Sequence, residues 1–417
     1  MLSPAALSVC ALIAVILVSC TSRINVGLLA IPLAWAVGLY AGLPAETVLA
    51  GFPSSLFVTL AGVTVLFTLA ETNGTVGVLV RRLFSTPLGR DRLVPLLIFL
   101  IACAISTVGP GAIVSVAIVA PVAMAIGMRA GLPFFLTALM VANGANAGNL
   151  SPLSAVGIIA NTRMAAAGLG GHEWKVWAAN FFAHCLVGAV AYVMLIKQGA
   201  KGTPTAPQTV EERAASMTRD QWITLVVVSL WVAGVVALRL PIGLSAFAAA
   251  AVIVLARAAD ETSAIRRMPW AAILMVCGMT MLVALVEKTG GMDVFTRLLA
   301  ALANPTTING VIAFVTGIIS TYSSTSAVVL PTFLPTVPGL VQQVGGGDPL
   351  AVALSINVGA SLVDVSPLST LGALCVAAVA DPESSRDLFR KLMLWGLSMS
   401  VVGALLCQLF ANAFARL

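Results

Sequence analysis

The sequence predicts an all-α polytopic membrane protein built from two inverted repeats. Of its 417 residues, 59% are hydrophobic and 9% are charged, and the mean hydropathy is +1.05, a composition that does not fit a soluble globular domain. Apolar runs of about 17 to 25 residues recur along the whole chain, which is the length that crosses a bilayer. The residue pattern of the first half returns in the second half at an offset of about 215 residues.

Four sets of residues support this repeat, in the same order in both halves. They are residues 23–28 with 239–244, Gly62, Glu71 and Gly74 with Gly278, Glu287 and Gly290, Ser106, Thr107 and Pro121 with Ser320, Thr321 and Pro335, and the Ser-Pro-Leu-Ser runs 151–154 and 366–369. Four ordered matches are not expected by chance. We therefore predict a first repeat at 1–197, a cytoplasmic linker at 198–219 and a second repeat at 220–417.

Each half begins with three apolar spans, which are followed by an amphipathic stretch expected to lie in the membrane interface. The spans are predicted at 5–20, 25–42 and 53–71, and again at 220–237, 241–257 and 269–287. No Lys or Arg precedes the first span, which argues against a cleaved signal peptide. The first span is therefore expected to be a transmembrane helix.

Two short apolar arms joined by a polar tip come next, with the tips at 107–111 and 320–326. At 1.5 Å per residue each arm is shorter than a full crossing, so we predict re-entrant helical hairpins at 92–129 and 307–342. Spanning arms are the alternative. A broken helix (132–168; 349–380) and a last span (174–196; 388–412) complete each half, giving five spanning helices, one of them broken, plus the hairpin.

Five crossings are an odd number, so the second half must be inverted relative to the first. This topology places 16 of the 22 Lys and Arg residues on one face, which the positive-inside rule makes cytoplasmic. Both termini are then periplasmic or extracellular, in an inner (plasma) membrane. If each broken helix crossed twice, the division would be 14 to 8, which is a weaker bias.

The two helix breaks are the strongest functional signal. Gly, Asn and Ser-Pro free backbone carbonyls at mid-membrane, and paired breaks in two halves indicate the binding site of a transporter. Free carbonyl and hydroxyl oxygens suit a cation, and helix amino ends suit an anion. The alternative is that small residues only pack helices closely. The predicted substrate-binding residues are Thr107, Gly109, Gly111, Asn143, Ser151, Ser323, Ser324, Thr325, Asn357 and Ser366. The predicted sodium ligands are Thr107, Gly111, Asn143, Asn146, Asn149, Ser323, Thr325, Ser361 and Asp364.

Asp364 is the only carboxylate inside a broken helix, and its counterpart in the first repeat is Asn149. An ionisable group at that depth is a functional hypothesis by default. It can complete a sodium site, carry a proton as the coupling ion, or cap free N–H groups at a helix start. The two histidines, His172 and His184, have no ligand-spaced partner and are expected to be structural.

Several segments resemble a known family. Residues 22–27, 51–57 and 73–75 resemble the malonate and dicarboxylate carriers of the MatC type. The hairpin followed by a Ser-Pro break, present twice, is similar to the divalent anion/sodium symporter (DASS) family of the ion transporter superfamily. That resemblance implies sodium-coupled uptake of a dicarboxylate by a homodimer, through an elevator-like movement. Those symporters carry Ser-Asn-Thr at each tip, whereas this chain has Val-Gly-Pro-Gly at 108–111 and Ser-Ser-Thr at 323–325.

We therefore expect a secondary active transporter that moves a small dicarboxylate, malonate or a four-carbon acid, with sodium. Neither tip nor break contains Lys or Arg, which disfavours phosphate or polyanion transport. Three alternatives stay open: a cation/proton antiporter with Asp364 as the shuttle, a proton-coupled organic anion transporter, and the membrane subunit of a binding-protein-dependent uptake system. An enzyme is not expected, because no nucleophile–base pair or metal motif is present. A nucleic-acid partner is not expected either, because loop bias explains the net charge of +6.

Overall fold

The computed structural model describes residues 2–22, 24–84, 93–109, 111–196, 217–379 and 381–417. These residues are almost entirely helical and include no strand. Within these described residues, seven helices are long and apolar enough to cross a membrane, and five shorter helices are also apolar. The prediction of an all-α polytopic membrane protein is therefore confirmed. Most of the predicted linker, and Pro110 in the first tip, lie outside the described residues.

The helices of the first half recur in the second half in the same order. The first half contains α1 (Pro4–Thr21), α2 (Val26–Tyr40), α3 (Ala45–Leu49), α4 (Ser54–Thr72), α5 (Thr75–Phe84), α6 (Val94–Val108), α7 (Gly111–Arg129), α8 (Phe134–Asn149), α9 (Ala155–Ala166) and α10 (Glu173–Leu195). The second half contains α11 (Arg219–Leu238), α12 (Ile242–Leu255), α13 (Glu261–Arg267), α14 (Trp270–Lys288), α15 (Gly291–Ala300), α16 (Ile308–Tyr322), α17 (Leu330–Phe333), α18 (Val337–Val344), α19 (Pro349–Leu362), α20 (Thr370–Ala377) and α21 (Pro382–Arg416). The opposite orientation of the two halves stays a prediction.

Several boundaries differ from the sequence-based ones. The short helices α3 and α13 were not expected, and α21, with 35 residues, is longer than the predicted last span. Both polar tips are shorter than predicted, because α6 continues to Val108 and α16 to Tyr322. Thr107 and Ser320 therefore lie in the last turns of helices.

The hairpin arms have unequal lengths. The first arms, α6 and α16, have 15 residues each, or roughly 22 Å at 1.5 Å per residue, which is shorter than a bilayer core. The second arms, at 111–128 and 325–344, are among the helices long enough to cross. Helix length thus does not decide whether the hairpins are re-entrant, and that assignment stays a prediction.

The second arm of the second hairpin is irregular. It begins with a π-helical turn (Thr325–Val329), continues through α17 and a 3-10 turn (Leu334–Thr336), and ends in α18. Pro331, Pro335 and Pro338 each remove a backbone N–H from this segment, which prevents a regular hydrogen-bond ladder. Its counterpart α7 contains only Pro121 and is one continuous helix.

The two halves interlock through two helix crossings, in which α4 packs on α12 and α14 packs on α2. A Cβ atom on Gly62 would lie 2.4 Å from Gly243 O, and one on Gly278 would lie 2.4 Å from Gly27 O. Gly62 corresponds to Gly278, and Gly27 to Gly243, in the predicted repeat. Both crossings therefore use the same pair of glycine positions, where only a missing side chain lets the backbones approach.

The broken helices form the centre of the molecule. Every residue of α8 from Leu136 to Asn149 is buried, as is every residue of α19 from Leu350 to Leu362. The hairpin arms α6 and α16 pack along them, and α10 and α21 cover another side. Both breaks are thus held between a hairpin and a long helix, where polar groups need partners within the protein.

Candidate functional site

The first hairpin tip is hydrogen-bonded to the first break. α8 ends at Asn149, and α9 restarts at Ala155. The Ser151 hydroxyl donates to the Thr107 carbonyl, and the Ala155 N–H donates to the Gly109 carbonyl at 3.3 Å. Thr107, Gly109, Gly111, Asn149 and Ser151 therefore come together, and we call these five residues the first tip–break cluster.

Asn149 and Gly109 fix the position of this tip. The Asn149 Oδ1 atom accepts the N–H of Ala112, in the first turn of α7, at 3.0 Å. A Cβ atom on Gly109 would overlap the Phe67 ring of α4, so the tip lies against that helix without space for a side chain. Phe67 itself packs edge-on against Trp231, with ring centroids 5.8 Å apart.

The second tip and break bring oxygen atoms together around a carboxylate. The Thr325 Oγ1 atom is 2.9 Å from both carboxylate oxygens of Asp364. It is also hydrogen-bonded to Ser320 Oγ and lies 3.4 Å from the Ala360 carbonyl oxygen. We call Ser320, Thr325, Ala360 and Asp364 the second tip–break cluster. Asp364 is partly exposed.

Three of the predicted sodium ligands lie elsewhere, in what we call the buried amide network, formed by Asn143, Asn146, Asn180, His184 and Ser361. The His184 ring contacts Asn143 Oδ1 through Nδ1 at 3.0 Å and Ser361 Oγ through Nε2 at 3.4 Å. Ser361 Oγ donates to Asn180 Oδ1 at 2.6 Å, and Asn180 Nδ2 donates to the Asn146 carbonyl at 2.7 Å. All five residues are at most 1% exposed.

The network joins α8 and α10 of the first half to α19 of the second half. Asn180 was not predicted, and His184 was expected to be structural without a stated partner. The only signal in the sequence is that these two polar residues are four apart in an apolar helix, which places them on one face. Asn146 Oδ1 is buried and accepts no hydrogen bond among the described residues.

The remaining predicted residues are not joined in one site. Ser323 contacts the Ser19 hydroxyl of α1 at 3.1 Å, and Ser324 accepts the N–H of Ala327 at 3.2 Å. Asn357 donates to the carbonyl of Ala353, one turn earlier on α19, at 2.8 Å. Ser366 accepts the N–H of Leu368 within its own turn at 3.3 Å. The predicted residues thus divide into two tip–break clusters, the network and these local contacts.

The two breaks differ in exposure. Leu153 is 8% exposed, whereas Leu368, at the matching position of the second repeat, is 47% exposed. α9 packs against α4, and α20 makes no comparable contact with α14, the counterpart of α4. A cleft of about 650 Å³ between α4, α9 and α12 includes Pro152 in its wall. Leu368 is therefore more exposed than Leu153, while the first break borders a cleft through Pro152.

Positive charge is scarce near the clusters. Neither tip nor break contains Lys or Arg. Arg163, in the last turn of α9, interacts electrostatically with Glu287 of α14. Glu71 interacts in the same way with Arg267. An anion at the clusters would depend on hydroxyl and amide donors and on helix amino ends.

Comparison with known proteins finds a family match to the amino-terminal part of the chain and a shared fold. Residues 2–149 match the family described as the N-terminus of the dicarboxylate carrier protein MatC. A search of curated proteins found no match. The YdaH transporter of Alcanivorax borkumensis is similar in structure, with a TM-score of 0.58, 16% identity and coverage of 93% of this chain and 96% of that one. Neisseria gonorrhoeae MtrF, from a class of antimetabolite efflux pumps, gives a TM-score of 0.59 and 15% identity, covering 98% of this chain and 95% of that one.

These comparisons support one part of the predicted resemblance, namely the likeness to the MatC carriers. The MatC match covers the amino-terminal region, which carried the resemblance, and the structural likeness at this identity shows a shared fold. Together they support a transporter rather than an enzyme. Membership of the divalent anion/sodium symporter family stays a prediction.

Proposed function

We infer that this protein is a secondary active transporter that moves a small dicarboxylate across the membrane together with sodium. The observation that carries this proposal is the second tip–break cluster, where a partly exposed carboxylate meets hydroxyl and carbonyl oxygens at a helix break. The dicarboxylate is suggested by the MatC family match at residues 2–149. Malonate and four-carbon dicarboxylates are the substrates to test first.

The second tip–break cluster has the chemistry of a sodium site. Sodium prefers oxygen ligands, and the cluster offers two carboxylate oxygens of Asp364, the hydroxyls of Thr325 and Ser320, and the Ala360 carbonyl. The ligands come from both the hairpin tip and the break, so an ion bound there would tie these two elements together. A carboxylate also supplies the negative charge that favours a cation at this depth.

The substrate anion would bind at helix amino ends. α9 and α20 both start at a break, where Ser154 accepts the Gly157 N–H and Ser369 accepts the Gly372 N–H. Their positive dipole ends point toward mid-membrane, which favours a carboxylate. We place the substrate between the two tips, within reach of both breaks, and propose that the hairpins and broken helices move as a unit in an elevator-like cycle within a homodimer.

The test is uptake of radiolabelled malonate and succinate into proteoliposomes that contain only this protein. We expect uptake to depend on an inward sodium gradient at fixed pH, without a soluble binding protein. Uptake that follows a proton gradient instead would replace sodium by proton as the coupling ion. If no dicarboxylate enters while protons move against sodium, the proposal is wrong and the chain is a cation/proton antiporter.

A further inference from the structure

The two repeats differ at three aligned positions where each hairpin tip meets its break. Gly109, Pro110 and Asn149 of the first repeat correspond, at one constant offset, to Ser324, Thr325 and Asp364 of the second. The first repeat therefore lacks both the carboxylate and the hydroxyl that form the centre of the second tip–break cluster. Only amide, hydroxyl and carbonyl groups remain there as possible ligands of a cation.

In the first repeat these groups are already used. Asn149 Oδ1 accepts the N–H of Ala112 at 3.0 Å and so caps the second hairpin arm. The Ser151 hydroxyl donates to the Thr107 carbonyl, and the Thr107 hydroxyl donates to the Cys103 carbonyl at 2.7 Å. A cation would have to displace several of these hydrogen bonds without gaining a charged ligand.

In the second repeat a different residue caps the arm. The N–H of Ala327, which corresponds to Ala112, donates to Ser324 Oγ at 3.2 Å. Because Ser324 caps the second arm, the Asp364 carboxylate does not accept that N–H. Among the described side chains it is hydrogen-bonded only to the Thr325 hydroxyl. A partly buried carboxylate with a single hydroxyl donor has unused lone pairs, which a cation can satisfy.

We propose that each chain binds one sodium ion, in the second repeat only, and that this ion travels with a singly charged anion. The inference rests on the proposed function and specifies its stoichiometry. The first tip–break cluster then serves as a hydrogen-bonded anchor for its hairpin. This assignment removes Thr107, Gly111 and Asn149 from the predicted sodium ligands.

The charge on the cargo follows from Asp364. When Asp364 is ionised, the empty site carries one negative charge, and neither tip nor break offers Lys or Arg to offset a further one. One sodium ion and one monoanion leave that charge unchanged, whereas one sodium ion and a dianion add an uncompensated charge inside the membrane, which is costly. The half-protonated form of a dicarboxylic acid is therefore the form that the site accepts with one sodium.

The first test is equilibrium binding of radioactive sodium to the purified protein, which does not depend on transport. We expect one ion per chain in the wild type and a loss of binding in Asp364→Asn. Asn149→Ala and Ser151→Ala, in the first repeat, should retain one ion. Two ions per chain would contradict the inference, as would a loss of sodium in either of the folded first-repeat variants.

The second test is the voltage dependence of sodium-driven malonate uptake in proteoliposomes clamped with potassium and valinomycin. We expect a sodium Hill coefficient of 1 and little change in accumulation at an inside-negative potential. Each net charge moved would instead change the accumulation ratio by roughly 50-fold per 100 mV. Strong voltage dependence or a coefficient near 2, with sodium-driven uptake intact, overturns the stoichiometry and leaves the proposed function standing. If one sodium ion binds per chain but no dicarboxylate is taken up, the single sodium site stands and the proposed function is wrong.

Discussion

At the scale of single residues, the buried amide network gives the clearest structural role to a side chain that the sequence left unassigned. Asn143 Nδ2 donates to the Leu139 carbonyl at 2.9 Å, so its Oδ1 faces His184 and must accept a hydrogen from Nδ1. His184 therefore carries its proton on Nδ1, and its Nε2 lies 3.4 Å from Ser361 Oγ, whose own proton is donated to Asn180 Oδ1. The histidine thus links a helix of the first half to one of the second.

Replacing His184 by Ala should destabilise the protein, because the buried Asn143 Oδ1 atom would lose its hydrogen-bond donor. We expect a loss of about 1–3 kcal/mol, measured by thermal or denaturant unfolding in detergent. His172→Ala is the matched control, since His172 makes no side-chain cap at the start of α10, and should cost about 0.5 kcal/mol or less. Equal effects of the two substitutions would contradict the claim that the buried amide network stabilises the protein.

Thr325 provides the second residue-scale prediction. Its hydroxyl contacts both Asp364 oxygens at 2.9 Å, so Thr325→Val removes one oxygen ligand and keeps the shape. The sodium concentration for half-maximal uptake should rise roughly tenfold, the equivalent of about 1.4 kcal/mol. Thr325→Ser, which retains the hydroxyl, should restore the wild-type value. A Val variant with an unchanged sodium requirement would argue against this ligand.

At the scale of helices, the glycine crossings decide how the halves fit together. Gly62 faces the Gly243 carbonyl with no space for a methyl group. Gly62→Ala should therefore push α4 and α12 apart and cost about 1–3 kcal/mol of stability. Gly170→Ala is the control, since its Cβ atom would meet its nearest neighbour at an ordinary 3.4 Å. Unfolding measurements that show no difference between the two variants would contradict the close crossing.

The sequence predicts much of the helix order because the relevant signals are local. The Ser-Pro runs at 151–152 and 366–367 end helices wherever they occur, and the structure breaks both helices there. Gly62 and Gly278 are visible as repeat anchors, but their partners across the halves are not, since packing between distant segments leaves no local pattern. The same reason hides Asn180, whose partner Ser361 is 181 residues away.

The tips show where local reasoning fails in detail. Thr107 and Ser320 are polar and were placed in the tips, yet each lies in a helix that continues past the predicted end by less than one turn. A buried Thr or Ser can remain helical because its hydroxyl donates to a carbonyl one turn earlier, as Thr107 does to Cys103. The division of the predicted residues into two clusters and a network depends on three-dimensional packing and has no counterpart in the residue spacing.

At the scale of the whole molecule, the two breaks differ in the exposure of one leucine. Leu368 is exposed and Leu153 is buried, although they occupy the same position of the repeat. With the orientation that the Lys and Arg distribution predicts, α20 lies in the cytoplasmic half of the membrane. With that orientation, Leu368 is exposed in the cytoplasmic half of the molecule.

Cysteine labelling tests this asymmetry. In a background without the seven native cysteines, Leu368→Cys should react with a membrane-impermeant maleimide in inside-out vesicles. Leu153→Cys should react at least tenfold more slowly from either side, because its side chain is buried. Labelling of Leu368→Cys only from the periplasmic side would reverse the predicted orientation, and equal labelling of both positions would remove the asymmetry.

The most direct test of the central claim compares malonate uptake by the wild type and Asp364→Asn, with and without an inward sodium gradient at fixed pH. The Asn side chain retains the shape of Asp364 and removes the charge, as Asn149 does in the first repeat. The account predicts sodium-stimulated uptake in the wild type and a loss of at least tenfold in that stimulation in the variant. Full sodium stimulation in Asp364→Asn would contradict the claim that the second tip–break cluster couples sodium to transport.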